Sequence, residues 1–282
     1  MTDDECVAFL QWALPHLGRR WVGYRKVRRR VCKKIGRRAA ELGLANLAEY
    51  RSHLERHPDE WPVLDALTDV TISRFYRDRA VFDLLRDSVL PGLVERSRDA
   101  GAGVVRAWSA GCANGEEPYT LAILWDQVVA AGADGPRLEI LATDIKQTVL
   151  ARAERARYPL SSTRDLPDSW RDAAFHRDGN ELVLDERFRR AVTFVRHDIR
   201  DDPPAGPFDL VLCRYQAFTY FDDDGQRATL REFAQVTRPG AVLVLGGRER
   251  PPAEDATFEP VDVKRGVYRR SADAVDTAIM QN

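Results

Sequence analysis

VVRAWSAGCANGEEPYT, residues 104–120, is the stretch from which the rest of the chain is best read. VVRAW is a β-branched and apolar run of the kind that forms a central strand. SAGCANG follows at once, with small residues and glycines that let main chain come close to a bound group. Glu116, Glu117 and Pro118 then open a helix, with proline at an early position where its missing N–H is no loss. Strand, glycine turn and helix make the first unit of a nucleotide-binding α/β domain. Two carboxylates at that helix start oppose a pyrophosphate, which a helix N-terminus otherwise favours. An acid-lined glycine turn suits a nucleoside of positive charge, and S-adenosylmethionine (AdoMet), with its sulfonium and α-amino group, answers that description. The competing reading is the glycine turn of any α/β enzyme whose helix carries ordinary first-turn acids.

Working outward toward the C-terminus, LEILAT at 138–143 reads as a second parallel strand ending in Asp144. A carboxylate at that position grips the ribose diol in doubly wound nucleoside-binding domains. It is equally placed to cap a helix beginning near Lys146. Residues 160–190 are the least regular, and the alternating runs in NELVLDERFRRAVTFVRHD predict a small inserted antiparallel hairpin. Val192, Phe194 and Val195 are assigned to the next core strand, carrying His197, Asp198 and Ile199 to its C-terminal edge. There an acid can accept the adenine amino group. FDLVLC, at Phe208 to Cys213, is another core strand, and Arg214, Tyr215 and Tyr220 leave it toward cofactor and substrate. AVLVLGG is a further core strand, and Val267 to Arg270 is expected as the antiparallel edge strand. The fold expected is α/β, a doubly wound, mostly parallel sheet preceded by an all-helical domain. The boundaries expected are 1–96 for the helical domain and 97–282 for the sheet domain, with the β insertion at about 160–190.

The helical half carries the charge asymmetry that the near-neutral net charge of -1 conceals. Between Arg19 and Arg38 lie eleven basic residues and no acid, which calls for an anionic partner. Val27, Val31, Ile35, Ala39 and Leu42 recur at helical spacing within that run, so one side of the helix is buried and the basic side is solvated. Nucleic acid and an acidic protein surface are both candidates, but apart from Trp21 and Tyr24 at the front edge aromatic residues do not interleave the basic ones as base stacking requires. Thr71, Ser73, Arg74, Phe75, Tyr76 and Arg77 crowd polar and aromatic groups at a loop-to-helix junction. They read either as the lining of a site or as a packed hinge. Cys6, Cys32, Cys112 and Cys213 are scattered, which indicates neither a zinc cluster nor a disulfide scaffold. Cys112 reads as a small residue in a crowded turn or as a reactive thiol. Five histidines without paired spacing argue against a metal site. The polar start MTDDECV is unlike a signal peptide, and no run approaches a membrane span, so a cytoplasmic protein without membrane insertion is expected.

Taken together these residues resemble the chemotaxis receptor methyltransferases (CheR type), which methylate receptor glutamates with AdoMet. The resemblance runs from about residue 20 to residue 270. It is carried by the basic helix with LGLANLAEYRSHL, by VTISRFYRD, by WSAGCANGEEPYTLAI, by ATDI, and by FDLVLCR with TYFD after it. It implies the Rossmann-like class I AdoMet methyltransferase fold, AdoMet as cofactor and S-adenosylhomocysteine as product. Residue by residue, it implies that Ser73 and Arg77 approach the methionine carboxylate and that Glu117, rather than Glu116, takes the amino group. Gly111 belongs to the turn beneath the cofactor. Asp144 holds the ribose, Asp198 and Ile199 lie near the adenine, and Arg214 and Tyr215 lie at the cofactor's back edge. Tyr220 points at the methyl or the incoming carboxylate, which makes Arg77, Arg214 and Tyr220 the catalytic candidates.

Two departures fall on the acceptor side: Tyr215 stands where the family has Asn, and GGRER replaces Gly-His-Ser-Glu. Asp198 also stands where the family usually has Asn. The implied partner is an acidic helical protein docking on Arg25–Arg38. A small-molecule O- or N-methyltransferase is the alternative, and a nucleic-acid methyltransferase or a non-catalytic AdoMet-binding module ranks behind both.

Overall fold

The computed structural model describes residues 2–129, 135–253 and 256–272. The chain divides into two compact units, Met1–Thr71 with Thr219–Gln226, and Ile72–Phe218 with Arg227–Asn282.

The first unit is helical. Its helices span Asp3–His16, Trp21–Tyr24, Arg28–Glu41, Leu47–Arg56 and Trp61–Thr68. Thr2 and Glu5 form a reciprocal capping box at the first of them, and the Asn46 side chain accepts from the Glu49 N–H at the fourth. Phe9, Leu10, Leu14, Ile35, Tyr50 and Leu64 are buried from four of these helices and form the core. Arg19 is buried as well, and its guanidinium meets Asp65 at 2.7 Å, Asp69 at 3.0 Å and the Tyr24 hydroxyl at 3.0 Å. The 219–226 segment joins this unit through the Arg20 N–H, which donates to the Tyr220 carbonyl at 2.9 Å.

One sequence expectation fails here. Cys6 and Cys32 are joined as a disulfide, with their Cα atoms 5.9 Å apart. The Asp3–His16 and Arg28–Glu41 helices lie against each other and bring these positions together across 26 residues. No local spacing pattern announces such a pair.

Among the described residues the second unit contains ten strands: β1 Val104–Ala110, β2 Arg137–Asp144, β3 Arg157–Pro159, β4 Phe175–Asp178, β5 Glu181–Leu184, β6 Val192–Arg196, β7 Phe208–Cys213, β8 Thr237–Leu245, β9 Phe258–Asp262 and β10 Val267–Arg270. Seven form one sheet in the order β6-β2-β1-β7-β8-β10-β9. β6, β2, β1, β7 and β8 run parallel, while β10 is antiparallel to both β8 and β9. This is the class I AdoMet methyltransferase topology. The reversal of strand order beside β1 puts the crevice for a nucleoside at the C-terminal ends of β1, β2 and β7. β1 and β7 are central, and Ala107, Trp108, Leu210, Val211, Leu212 and Cys213 are wholly buried, as a strand covered on both faces requires.

Four details differ from the sequence reading. β10 is not the edge; β9 lies outside it and carries Pro260, which pairs with Tyr268. β6 is the opposite edge and is largely exposed, Val195 at 43%, because nothing pairs beyond it. The insertion is a three-stranded antiparallel sheet, β3-β5-β4, which takes in Arg157–Pro159 and turns at Gly179. Residues from Ile72 onward already belong to the second unit, where the sequence reading put the boundary at 96/97. The reason is packing: Phe75, Tyr76, Phe82, Leu85, Leu90 and Leu93 share one hydrophobic cluster with the sheet residues Leu210 and Val244. Among the described residues no helix is long and apolar enough to cross a membrane.

Gly115 closes the turn after β1 at φ +87°, and a Cβ there would sit 2.8 Å from Ala153 Cβ and 3.1 Å from the Tyr158 hydroxyl. Gly115→Ala combines left-handed backbone with an overfilled site and is expected to lose about 2 kcal/mol of stability, read from urea unfolding.

Candidate active site

The turn after β1 is held chiefly from β2. The N–H groups of Gly111 and Cys112 both donate to the Thr143 carbonyl at 2.8 Å. The Ala113 N–H donates to Asp144 Oδ2 at 3.0 Å, and the Lys146 N–H donates to Asp144 Oδ1 at 3.0 Å. Asp144 therefore braces the turn as well as ending the strand, and it forms an Asx-type turn rather than a helix cap. Gly111 has φ +80°, and a Cβ there would meet Gln216 Cγ at 2.7 Å. Only glycine lets the Gln216 side chain lie this close over the main chain.

Ser73, Arg77, Gly111, Glu117, Arg214 and Tyr215, six residues singled out in the sequence, line one cleft. Glu117 accepts from the Ser109 hydroxyl at 2.8 Å and from Arg214 at 3.1 Å. The buried Arg214 guanidinium also donates to the Arg77 carbonyl at 2.8 Å and to Asp78 Oδ2 at 2.7 Å. The same Asp78 oxygen accepts from the Tyr215 hydroxyl at 2.5 Å, while the Arg77 guanidinium lies 4.1 Å over the Tyr215 ring. Burial, and then the Asp78 carboxylate, push the Tyr215 phenol up to about 12. Its role at neutral pH is that of a hydrogen-bond donor.

Sequence reasoning missed two members of this network. Asp78 stands at φ +61° directly after Arg77 and joins Arg214 to Tyr215. Glu249 is buried, and its Oε2 accepts the N–H of Tyr215 at 2.8 Å and of Gly246 at 2.6 Å. GGRER keeps its acid, and that retained glutamate was the available signal. The two departures from the family pattern, Tyr215 and GGRER, thus meet through one carboxylate.

Glu116 and Glu117 differ in burial. Glu117 is half-buried on the cleft, whereas Glu116 is 3% exposed and burial raises its carboxyl pKa. Asp198 and Ile199 follow β6, whose exit is tied to β2 by the His197 N–H donating to the Asp144 carbonyl at 3.1 Å. Asp198 pairs with Arg200 at 2.7 Å, and Ile199 is buried. Tyr220 belongs to the first unit, where its ring lies 4.9 Å from Tyr24. Cys112 is buried and its thiol is pushed up, first by burial and then by Asp144, so it is inert.

The donor set fits AdoMet. On the cleft Arg77 is a cation suited to a carboxylate, Glu117 is a carboxylate suited to an ammonium, and the bare main chain at Gly111 admits a close approach. Residues 71–267 match the family described as CheR methyltransferase, SAM binding domain. The chain belongs to the CheR methyltransferase family. As a CheR-family protein it is an AdoMet-dependent methyltransferase, and AdoMet is its cofactor. It is similar to a chemotaxis protein methyltransferase of Listeria innocua, 34% identical over 202 residues, covering 72% of this chain and 74% of that one. Chemotaxis protein methyltransferase 2 of Pseudomonas aeruginosa is 32% identical over 226 residues, covering 78% and 77%. Among solved structures, SAM-bound CalS10, an amino pentose methyltransferase from Micromonospora echinaspora, aligns with 16% identity and a TM-score of 0.30, covering 63% of this chain and 58% of that one.

The buried Glu116 yields a pH prediction. Its folded-state pKa lies above the ordinary 4.5, so ionising it costs more in the fold than in the unfolded chain. Stability is fully present below 4.5, falls as pH rises from there to the folded-state value, and stays reduced beyond it. Glu116→Gln removes this dependence. Its melting temperature relative to the parent is expected to improve as pH rises above 4.5 and to level off beyond the folded-state value, and a difference independent of pH would contradict the assignment.

Proposed function

We propose that the protein transfers the AdoMet methyl to glutamate side-chain carboxylates of an acidic helical protein, giving methyl esters. The observation that carries this reading is the make-up of the cleft: Arg74, Arg77 and Arg214 line it, and no histidine does. A glutamate is already ionised at pH 7, its reference pKa being about 4.3, so its methylation needs no base. The names of the Listeria and Pseudomonas relatives, chemotaxis protein methyltransferases, support a protein as the acceptor.

When bound, AdoMet supplies an electrophilic sulfonium methyl. In this reading Asp144 accepts from the ribose hydroxyls, Glu117 takes the amino group, and Ser73 and Arg77 hold the methionine carboxylate. Asp198 and Ile199 border the adenine. Arg214, fixed by Glu117 and Asp78, sets the back wall that keeps those groups aligned. The acceptor oxygen forms its bond to carbon as the carbon–sulfur bond breaks, and both charges vanish without a proton transfer. Alignment of opposite charges with water excluded is then the protein's main contribution. Tyr220 is proposed to orient the incoming carboxylate.

The acceptor is drawn by the basic helix. Arg29, Arg30 and Lys33 are exposed there, as are Arg25 and Lys26 in the turn before it, whereas Arg28 is taken by Asp3 and Arg38 by Glu60. Tyr215 and its link through Glu249 favour a second reading, a small-molecule acceptor, because they lie where family members differ from this chain.

Three measurements test these assignments. Labelled AdoMet with cell lysate should give protein-bound, alkali-labile methyl esters; label only in small molecules selects the second reading. Asp144→Ala should weaken AdoMet binding about tenfold or more by calorimetry, since a buried diol loses a charged acceptor. Neutralising Arg29, Lys33 and Arg37 together should raise the protein-substrate KM at low salt, spare AdoMet affinity, and lose its effect as salt rises.

A further inference from the structure

A second cavity, of about 520 Å³, opens beside the same glycine turn, within the size range of small-ligand sites. One wall is the last turn of the Gln147–Arg155 helix, where Arg152 and Arg155 share a face at i and i+3. Both are exposed, and no hydrogen bond or ion pair joins either to a described residue. Arg157, by contrast, is held by Asp178 at 2.7 Å and Glu181 at 3.0 Å. On the other side the Tyr158 hydroxyl donates to the Asn114 carbonyl at 2.7 Å. Asn114 Oδ1 and Glu116 Oε2 also belong to residues lining the cavity, and both atoms are fully buried without a hydrogen-bond partner.

Arginines in a last helical turn complement the helix C-terminus, which accounts for where these two stand. It does not account for two unpaired cations on the wall of a cavity whose lining residues Asn114 and Glu116 each keep one buried acceptor atom without a donor. An occupant that brings negative charge meets the guanidinium forks, and an N–H or O–H on it satisfies the two acceptors once their side chains turn toward the cavity. We propose that this cavity binds a small amino- or hydroxy-carboxylate at a site separate from the methyl donor's. The proposal does not rest on a glutamate acceptor.

The test is calorimetric titration of the full chain with L-glutamate, malate and inorganic phosphate, each with and without saturating AdoMet. The expected result is saturable 1:1 binding of L-glutamate or malate that persists with AdoMet bound. Arg152→Gln with Arg155→Gln should weaken it about tenfold or more, as loss of charge-assisted bonds requires. AdoMet affinity and the melting temperature of that variant should stay unchanged, which shows that it is folded. Four outcomes would overturn the proposal. They are no saturable heat for either carboxylate up to about 10 mM, equal binding in the double variant, competition with AdoMet, and phosphate binding as tight as the carboxylates.

Discussion

The carboxylate of Asp144 accepts the main-chain N–H of Ala113, and its neighbour Thr143 accepts two more from the same turn. Through these bonds the end of β2 fixes the shape of the loop after β1. Everything placed around the cleft depends on that shape: Gly111 bare beneath Gln216, Glu117 aimed at Arg214, and Glu116 turned into the interior. The indole of Trp108 adds a bond to the Thr143 hydroxyl at 3.0 Å, so the strand beneath is tied to the same residue. Because Asp144 supports the turn as well as standing where a ribose would lie, its removal acts on both, and stability has to be measured beside affinity.

Around the cleft, several non-glycine residues occupy left-handed backbone: Tyr76, Asp78, Ala113 and Tyr215. Each is unfavourable alone and persists only where its surroundings over-determine it. Here the surroundings are visible. Asp78 is held by Arg214 and Tyr215, Tyr215 by Glu249, Ala113 by Asp144, and the Tyr76 N–H by the Thr120 hydroxyl at 3.1 Å. The strain lies in the segments that carry the site, and its compensation comes from charged groups for Asp78, Ala113 and Tyr215 and from a helix hydroxyl for Tyr76.

The parts of the fold legible in sequence were those governed by local pattern. Alternation and buried apolar runs located β1, β2, β7 and β8, and the glycine turn with its two acids pointed to the kind of cofactor. The strand order followed from the family resemblance. What escaped depends on partners far apart in the chain. Cys6 and Cys32 meet only because two helices lie side by side. β9 contains Pro260 and two acids, so its composition argues against a strand, yet at an edge those residues are tolerated. β6 resembles a core strand in its apolar residues but has a neighbour on one side alone. Asp78 and Glu249 are single acids on loops, and nothing local distinguishes them from solvated charge.

The proline on β9 has a consequence for the molecule among its copies. The terminal strand of an open sheet ordinarily offers unpaired donors and acceptors to any other extended chain. At Pro260 the row of donors is interrupted, and Glu259 and Asp262 flank the gap with like charge. An arriving strand finds a broken template there, which guards this border of the sheet against fibrous self-association.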